Sequence, residues 1–157
     1  MGADKWAELD EKFYMCSEGK NQSPIDIVNS YDTRLPEMSF TNIERAHTFL
    51  NNGHTVQANF SSGNSVEING EKFDLLQMHF HTPSENNING KAYPLEAHFV
   101  HAAKDGSLAV VAVMYEEGKE NPIIEKIWSK FPLKANEKVS ISLSANDIQA
   151  MLPSNKD

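Results

Sequence analysis

The stretch Leu76–Ala102, LQMHFHTPSENNINGKAYPLEAHFVHA, holds four of the chain's six histidines. Both of its ends, LQMHFH and LEAHFVH, read as strands. Side chains alternate across a strand, so Gln77, His79 and His81 share one face, while Met78 and Phe80 turn to the other. In the second run Glu96, His98 and Val100 share a face, and Ala97, Phe99 and His101 take the opposite one. If the two runs pair as antiparallel neighbours, His79, His81 and His98 converge. Three neutral imidazoles that leave one coordination position open are what a catalytic zinc ion requires. A zinc-bound imidazole also donates its other N–H to an acceptor. Gln77, two residues before His79, and Glu96, two before His98, suit that purpose. His101 has the wrong parity for ligation and reads as a hydrogen-bonded structural histidine. A second arrangement is open on these residues alone. In a cupin-like site, HFH and Glu85 would supply three ligands and a later histidine the fourth, and the carboxylate would favour iron or manganese.

Outward from this stretch, Pro and Gly punctuate short runs of strand character: His54–Phe60, Ser65–Ile68, Lys72–His81, Leu95–Ala102, Leu108–Tyr115 and Val139–Leu143. A helix is predicted after Asn121-Pro122, with Ile123, Ile124, Ile127 and Phe131 as its apolar stripe. A second is predicted from Ser144, with Asp147 completing an imperfect capping box and Ile148, Met151 and Leu152 on the covered side. The N-terminus reads as a short amphipathic helix carrying Trp6, Leu9 and Phe13. The sum is a mainly β (α+β) protein. Its central sheet is mostly antiparallel, its short helices are peripheral, and residues 1–157 form one domain.

A formal net charge of -8 argues against nucleic acid and against a membrane surface, which are both anionic. No apolar run approaches the roughly 20 residues of a membrane span. Cys16 is the single cysteine, so it has no disulfide partner within the chain. It reads either as a half-buried thiol or as half of a bridge to another chain.

Four separated motifs then fall in one order: KNQSPIDI (Lys20–Ile27), NNGHTVQANF (Asn51–Phe60), LQMHFHTPSEN (Leu76–Asn87) and LEAHFVH (Leu95–His101). Together they resemble the α-class carbonic anhydrases, especially the bacterial ones, over nearly the whole chain. The resemblance implies that His79, His81 and His98 are zinc ligands and that Gln77 and Glu96 are their acceptors. It implies that Glu85 is a buried glutamate orienting a hydroxyl relay, and that His54 is the proton shuttle. Asn52 and Gln57 would be hydrophilic lining; Val100, Val110 and Leu133 would lie near the apolar wall where carbon dioxide sits. The implied activity is reversible hydration of carbon dioxide to bicarbonate by zinc-hydroxide attack, in a periplasmic or extracellular protein. Strand alternation puts His54 and Gln57 on opposite faces, so a bulge or twist is expected between them.

The resemblance also implies a departure. The chain stops at LPSNKD, where the family continues into a C-terminal part with further central strands, an orienting threonine and the cysteine that would pair with Cys16. The expectation is an incomplete, C-terminally truncated version of the family's fold with an open sheet edge. Such a chain would form a homo-oligomer or take a complementary C-terminal chain. The alternative function is a zinc-binding, catalytically weak module or one fragment of a split enzyme.

Overall fold

The computed structural model describes residues 3–153. They form two compact units. The first comprises Met1–Ser30, described from Ala3, and Glu85–Ala92; the second comprises Tyr31–Ser84 and Tyr93–Asp157, described to Pro153.

The first unit opens with short 3-10 turns at Ala3–Glu8 and Glu11–Phe13, followed by α1 (Met15–Glu18). The single amphipathic helix expected over the first 13 residues is thus two short 3-10 pieces, with α1 following them. Leu9 is 55% and Phe13 48% exposed, so these two members of the apolar stripe are only partly covered, and the side chain of Trp6 lies outside the described residues. Asp10 ends the first piece by capping the second, its side chain accepting from the Lys12 N–H. Cys16 is exposed and unbridged, not half-buried. β1 (Asp26–Ile27) pairs in parallel with β7 (Asn87–Ile88), which pairs in turn with β8 (Lys91–Ala92).

The second unit holds the eight-stranded sheet. Its main path runs β10 (Leu108–Tyr115), β9 (Leu95–Ala102), β6 (Glu71–His81), β4 (Val56–Phe60), β3 (Ala46–Asn51) and β11 (Lys138–Leu143). β5 (Ser65–Ile68) also pairs with β6, and β2 (Ser39–Thr41) with β5. Every pairing in this sheet is antiparallel, as expected. β5 and β6 are joined by Asn69-Gly70, with φ of 53° and 80°. These positive values are what a two-residue hairpin turn demands, and Asn and Gly tolerate them best.

One face of the sheet carries the core. Phe49, Ala58, Leu75, Met78, Ala97 and Phe99 are buried together with Ile127 of α2 (Pro122–Trp128) and Ile148 and Met151 of α3 (Ala145–Met151). The helices form where predicted. Asn121 caps α2 by accepting from the N–H groups of Ile123 and Ile124, and Ser144 with Asp147 makes a complete capping box on α3. The half-buried Tyr115 hydroxyl, whose pKa desolvation pushes up to about 12, donates to the Met151 carbonyl and ties β10 to α3.

One irregularity decides which side chains share a face. In β6, Leu75 pairs with His101 and Gln77 with Val100, so Leu76 is an extra residue with no opposite number. This bulge lets Leu75 and Met78 both enter the core, which strict alternation forbids, and it leaves Leu76 48% exposed.

Candidate metal centre

The ladder between β6 and β9 sets His79 directly opposite His98, and His81 opposite Glu96. The three imidazoles stand with ring centroids 4.9 Å (His79–His81), 5.2 Å (His79–His98) and 4.7 Å (His81–His98) apart. One ring nitrogen from each lies within 4.8 Å of the others, so the three could hold a metal ion. Among the described residues this is the cluster with that capability, and Glu85 is not part of it.

The acceptors are where strand parity put them. Gln77 Oε1 lies 2.8 Å from His79 Nδ1, so that nitrogen carries the proton and Nε2 is left free to face a metal. Glu96 Oε1 lies 3.1 Å from His98 Nε2, close enough for the carboxylate to favour the opposite tautomer, with Nδ1 turned toward a metal. Glu96 is fully buried, and a carboxylate in that position needs a polar partner such as this N–H. Burial, then the neighbouring rings of His81 and His98, lower the pKa of His79 to about 4, with Glu96 pulling the other way. The imidazole is therefore neutral at pH 7, as a metal ligand must be. His101 stands on the core face, 3% exposed, its Nδ1 donating to the Phe99 carbonyl at 2.8 Å. It is the structural histidine that parity predicted.

Two more of the expected residues join this face. Gln57 is opposite His79 in the β4–β6 ladder. Its Oε1 accepts from Asn52 Nδ2 at 3.2 Å, and its Nε2 donates to Asn59 Oδ1 at 2.7 Å. Asn59, opposite Gln77, escaped the sequence reading. Its spacing of two from Gln57 was the available signal.

Other residues stand elsewhere. His54 is exposed and lies outside any strand, in a turn before β4 where Gly53 has φ of 87°. The expected parity conflict with Gln57 therefore does not arise. The turn borders a groove of about 370 Å³ whose walls include Phe80, Leu95, Trp128 and Phe131, so His54 stands on the rim of the sheet and not among the three rings. Val100 is half-buried and opposite Val110, which is 51% exposed. Leu133 is 87% exposed in the segment after α2, so it forms no wall here. Glu85 belongs to the first unit and is exposed, contrary to the expected buried carboxylate.

Comparison with known proteins gives one family. The profile of the eukaryotic-type carbonic anhydrases matches residues 1–157. A carbonic anhydrase of Pectobacterium atrosepticum is 40% identical over 148 residues, which are 94% of this chain and 60% of that one. One of Klebsiella pneumoniae is 40% identical over 155 residues, 98% of this chain and 63% of that one. The chain thus spans about three-fifths of the length of these curated relatives. Among solved structures, the α-carbonic anhydrase of Photobacterium profundum superposes with a TM-score of 0.87 at 40% identity, over 99% of this chain and 70% of that one. Dioscorin, solved in complex with ascorbate, superposes with a TM-score of 0.82 at 27% identity, over 93% of this chain and 64% of that one.

Proposed function

Since the chain belongs to the eukaryotic-type carbonic anhydrase family, we propose that it takes part in the reversible hydration of carbon dioxide, with zinc held by His79, His81 and His98. The observation that carries this reading is the histidine cluster with Gln77 beside His79 and Glu96 beside His98. Three imidazoles with no carboxylate among them suit zinc better than the harder ions. Zinc supplies, when bound, a Lewis acid that brings hydroxide within reach at neutral pH. The protein's part is to hold the ligands. Gln77 and Glu96 bias which nitrogen of His79 and His98 faces inward. His54, exposed at the turn, would carry the released proton to buffer, with Asn52 and Gln57 as polar lining. Val100 and Val110 would form the apolar side of the substrate's seat, Leu133 would join it only if a partner chain covered it, and Glu85 would orient a hydroxyl relay.

The rest of the assignment follows the family. Both compact units would be parts of one domain, because the family profile runs through each. Periplasmic or extracellular residence is the compartment proposed. No helix among the described residues is long and apolar enough to cross a membrane. The edge strand β10, LAVVAVMY, carries no charge along its length, and its outer edge would pair with a second copy or with a complementary C-terminal chain.

The likeness to dioscorin keeps a second reading in view. A fold of this kind also occurs in a protein whose solved complex holds ascorbate. A zinc-binding but catalytically weak module is the corresponding alternative here. Stopped-flow hydration of carbon dioxide by the zinc-loaded chain, with His81→Ala as the blank, separates the two. Activity well above the blank supports the enzyme. Tight zinc binding with activity at the level of the blank supports the module.

A further inference from the structure

The hydrogen bonds along β4 have a direction, and the backbone sets it. Asn52 Oδ1 accepts from the backbone N–H groups of His54 and Thr55, both at 2.9 Å. Only the oxygen of a carboxamide can accept, so the other end of Asn52 must be its NH2. That NH2 donates to Gln57, at 3.2 Å, and the recipient must be Gln57 Oε1. Gln57 therefore turns its own NH2 to Asn59, at 2.7 Å, where the acceptor must be Oδ1. Amide ends are assigned from hydrogen-bond networks and not from their shape. Here two backbone donors fix three carboxamides in succession, and no flip of one is compatible with the other two.

This row begins at the turn that carries His54 and ends beside the metal centre. Gln57 is opposite His79 and Asn59 is opposite Gln77. β4 and β6 are held in register by the sheet, whereas Gly53 and His54 are exposed, and their turn is tied by side chains at two places: Asn51 Oδ1 accepts from the Gly53 N–H at 3.0 Å, and Asn52 at the head of this row holds His54 and Thr55. We propose that Asn59 is a positioning residue: by holding the Gln57 carboxamide it keeps Asn52 locked on the turn, and so fixes His54 relative to the metal ligands. Asn59 touches neither the metal ligands' coordinating nitrogens nor the transferred proton. It acts through Gln57 and Asn52. The inference rests on the reading of His54 as the proton carrier for its consequence in catalysis, but not for its structural content.

The test has two arms for that reason. In the metal-free chain, backbone 15N order parameters are measured at His54 and Thr55. In Asn59→Ala they should fall from a rigid value of about 0.85 toward about 0.6, while those of β4 and β6 hold. Asn59→Asp keeps an oxygen for the Gln57 NH2 and should keep the turn rigid; Gln57→Met removes both polar ends and should loosen it as Asn59→Ala does. A turn equally rigid in all variants, or equally loosened by Asn59→Asp, overturns the proposal. In the zinc-loaded chain, Asn59→Ala should lower kcat about three- to tenfold with kcat/KM unchanged, and imidazole buffer should restore it. If the turn loosens but kcat does not respond and His54→Ala is also silent, the shuttle reading fails while the tether stands. If His54→Ala slows kcat but Asn59→Ala moves neither the turn nor kcat, the tether fails alone.

Discussion

Met78 and His79 are neighbours on β6 and face opposite ways. Met78 is fully buried, in a cluster that takes Ile127 from α2 and Ile148 and Met151 from α3. His79 is half-buried among Gln77, His81, His98 and Gln57, all of them polar. The chain closes the first face with its own helices. It furnishes the second with groups whose natural partners are ions, water and protons. The lesson is a division of labour across one sheet. Close packing on the core side fixes strand register, and register in turn sets His79 against His98 to within a side chain's reach. A metal centre assembled on strands is as precise as the core behind it.

Substitutions on the two sides should therefore fail differently. His79→Ala should lower zinc affinity by orders of magnitude, read by competition with a chelator, while the urea midpoint of the metal-free chain stays close to wild type. Met78→Ala should do the reverse: a loss of about 2–5 kcal/mol in stability, with zinc affinity of the folded fraction retained. If both substitutions moved both quantities alike, the two faces would not be separable and the comparison would break. A finer probe stays on the metal side. Glu96→Gln leaves an oxygen for the His98 Nε2 proton but removes the negative charge that favours it, and zinc affinity should drop about tenfold. An affinity equal to wild type would mean that Glu96 serves the fold and not the ligand.

Much of this division was legible in the sequence, because strand parity is a short-range rule. The alternation in LQMHFH and LEAHFVH was enough to separate ligands, acceptors and core residues, and to set His101 aside from His98. The misses have physical causes too. β3 has the mixed sequence AHTFLN, whose strand state comes from pairing with β4 and β11 and not from its own pattern. The extra residue Leu76 belongs to the pairing of two strands, which no single strand reveals. His54 was read into a strand because TVQANF follows it, whereas Asn52 and Gly53 bend the chain first. The N-terminal stripe needed a surface to cover it fully, and its sequence spacing does not guarantee one.

The smallest expected effect compares two histidines on the two faces. His101 and His79 both have lowered pKa values, with burial the largest cause for each. In His101 the backbone bonds to Phe99 and Ala109 oppose that shift, and no neighbouring imidazole adds to it. In the metal-free chain the unfolded state takes up a proton at each site near 6.5, before the folded state does. Stability therefore falls as pH drops below about 6.5, and at each site the fall ends once the folded imidazole also titrates. His101→Asn preserves a donor for the Phe99 carbonyl but cannot titrate, so it should remove one of these two contributions. Urea titrations of the metal-free protein at pH 7.5, 6 and 5 should show a shallower acid slope for the variant, by at most about 1.4 kcal/mol per pH unit, the slope of one proton. Identical slopes would mean that His101 takes up its proton over the same pH range in the folded and unfolded chains. The core face would then tolerate a cation beside Phe99, and the contrast between the two sides of the sheet would be one of geometry alone.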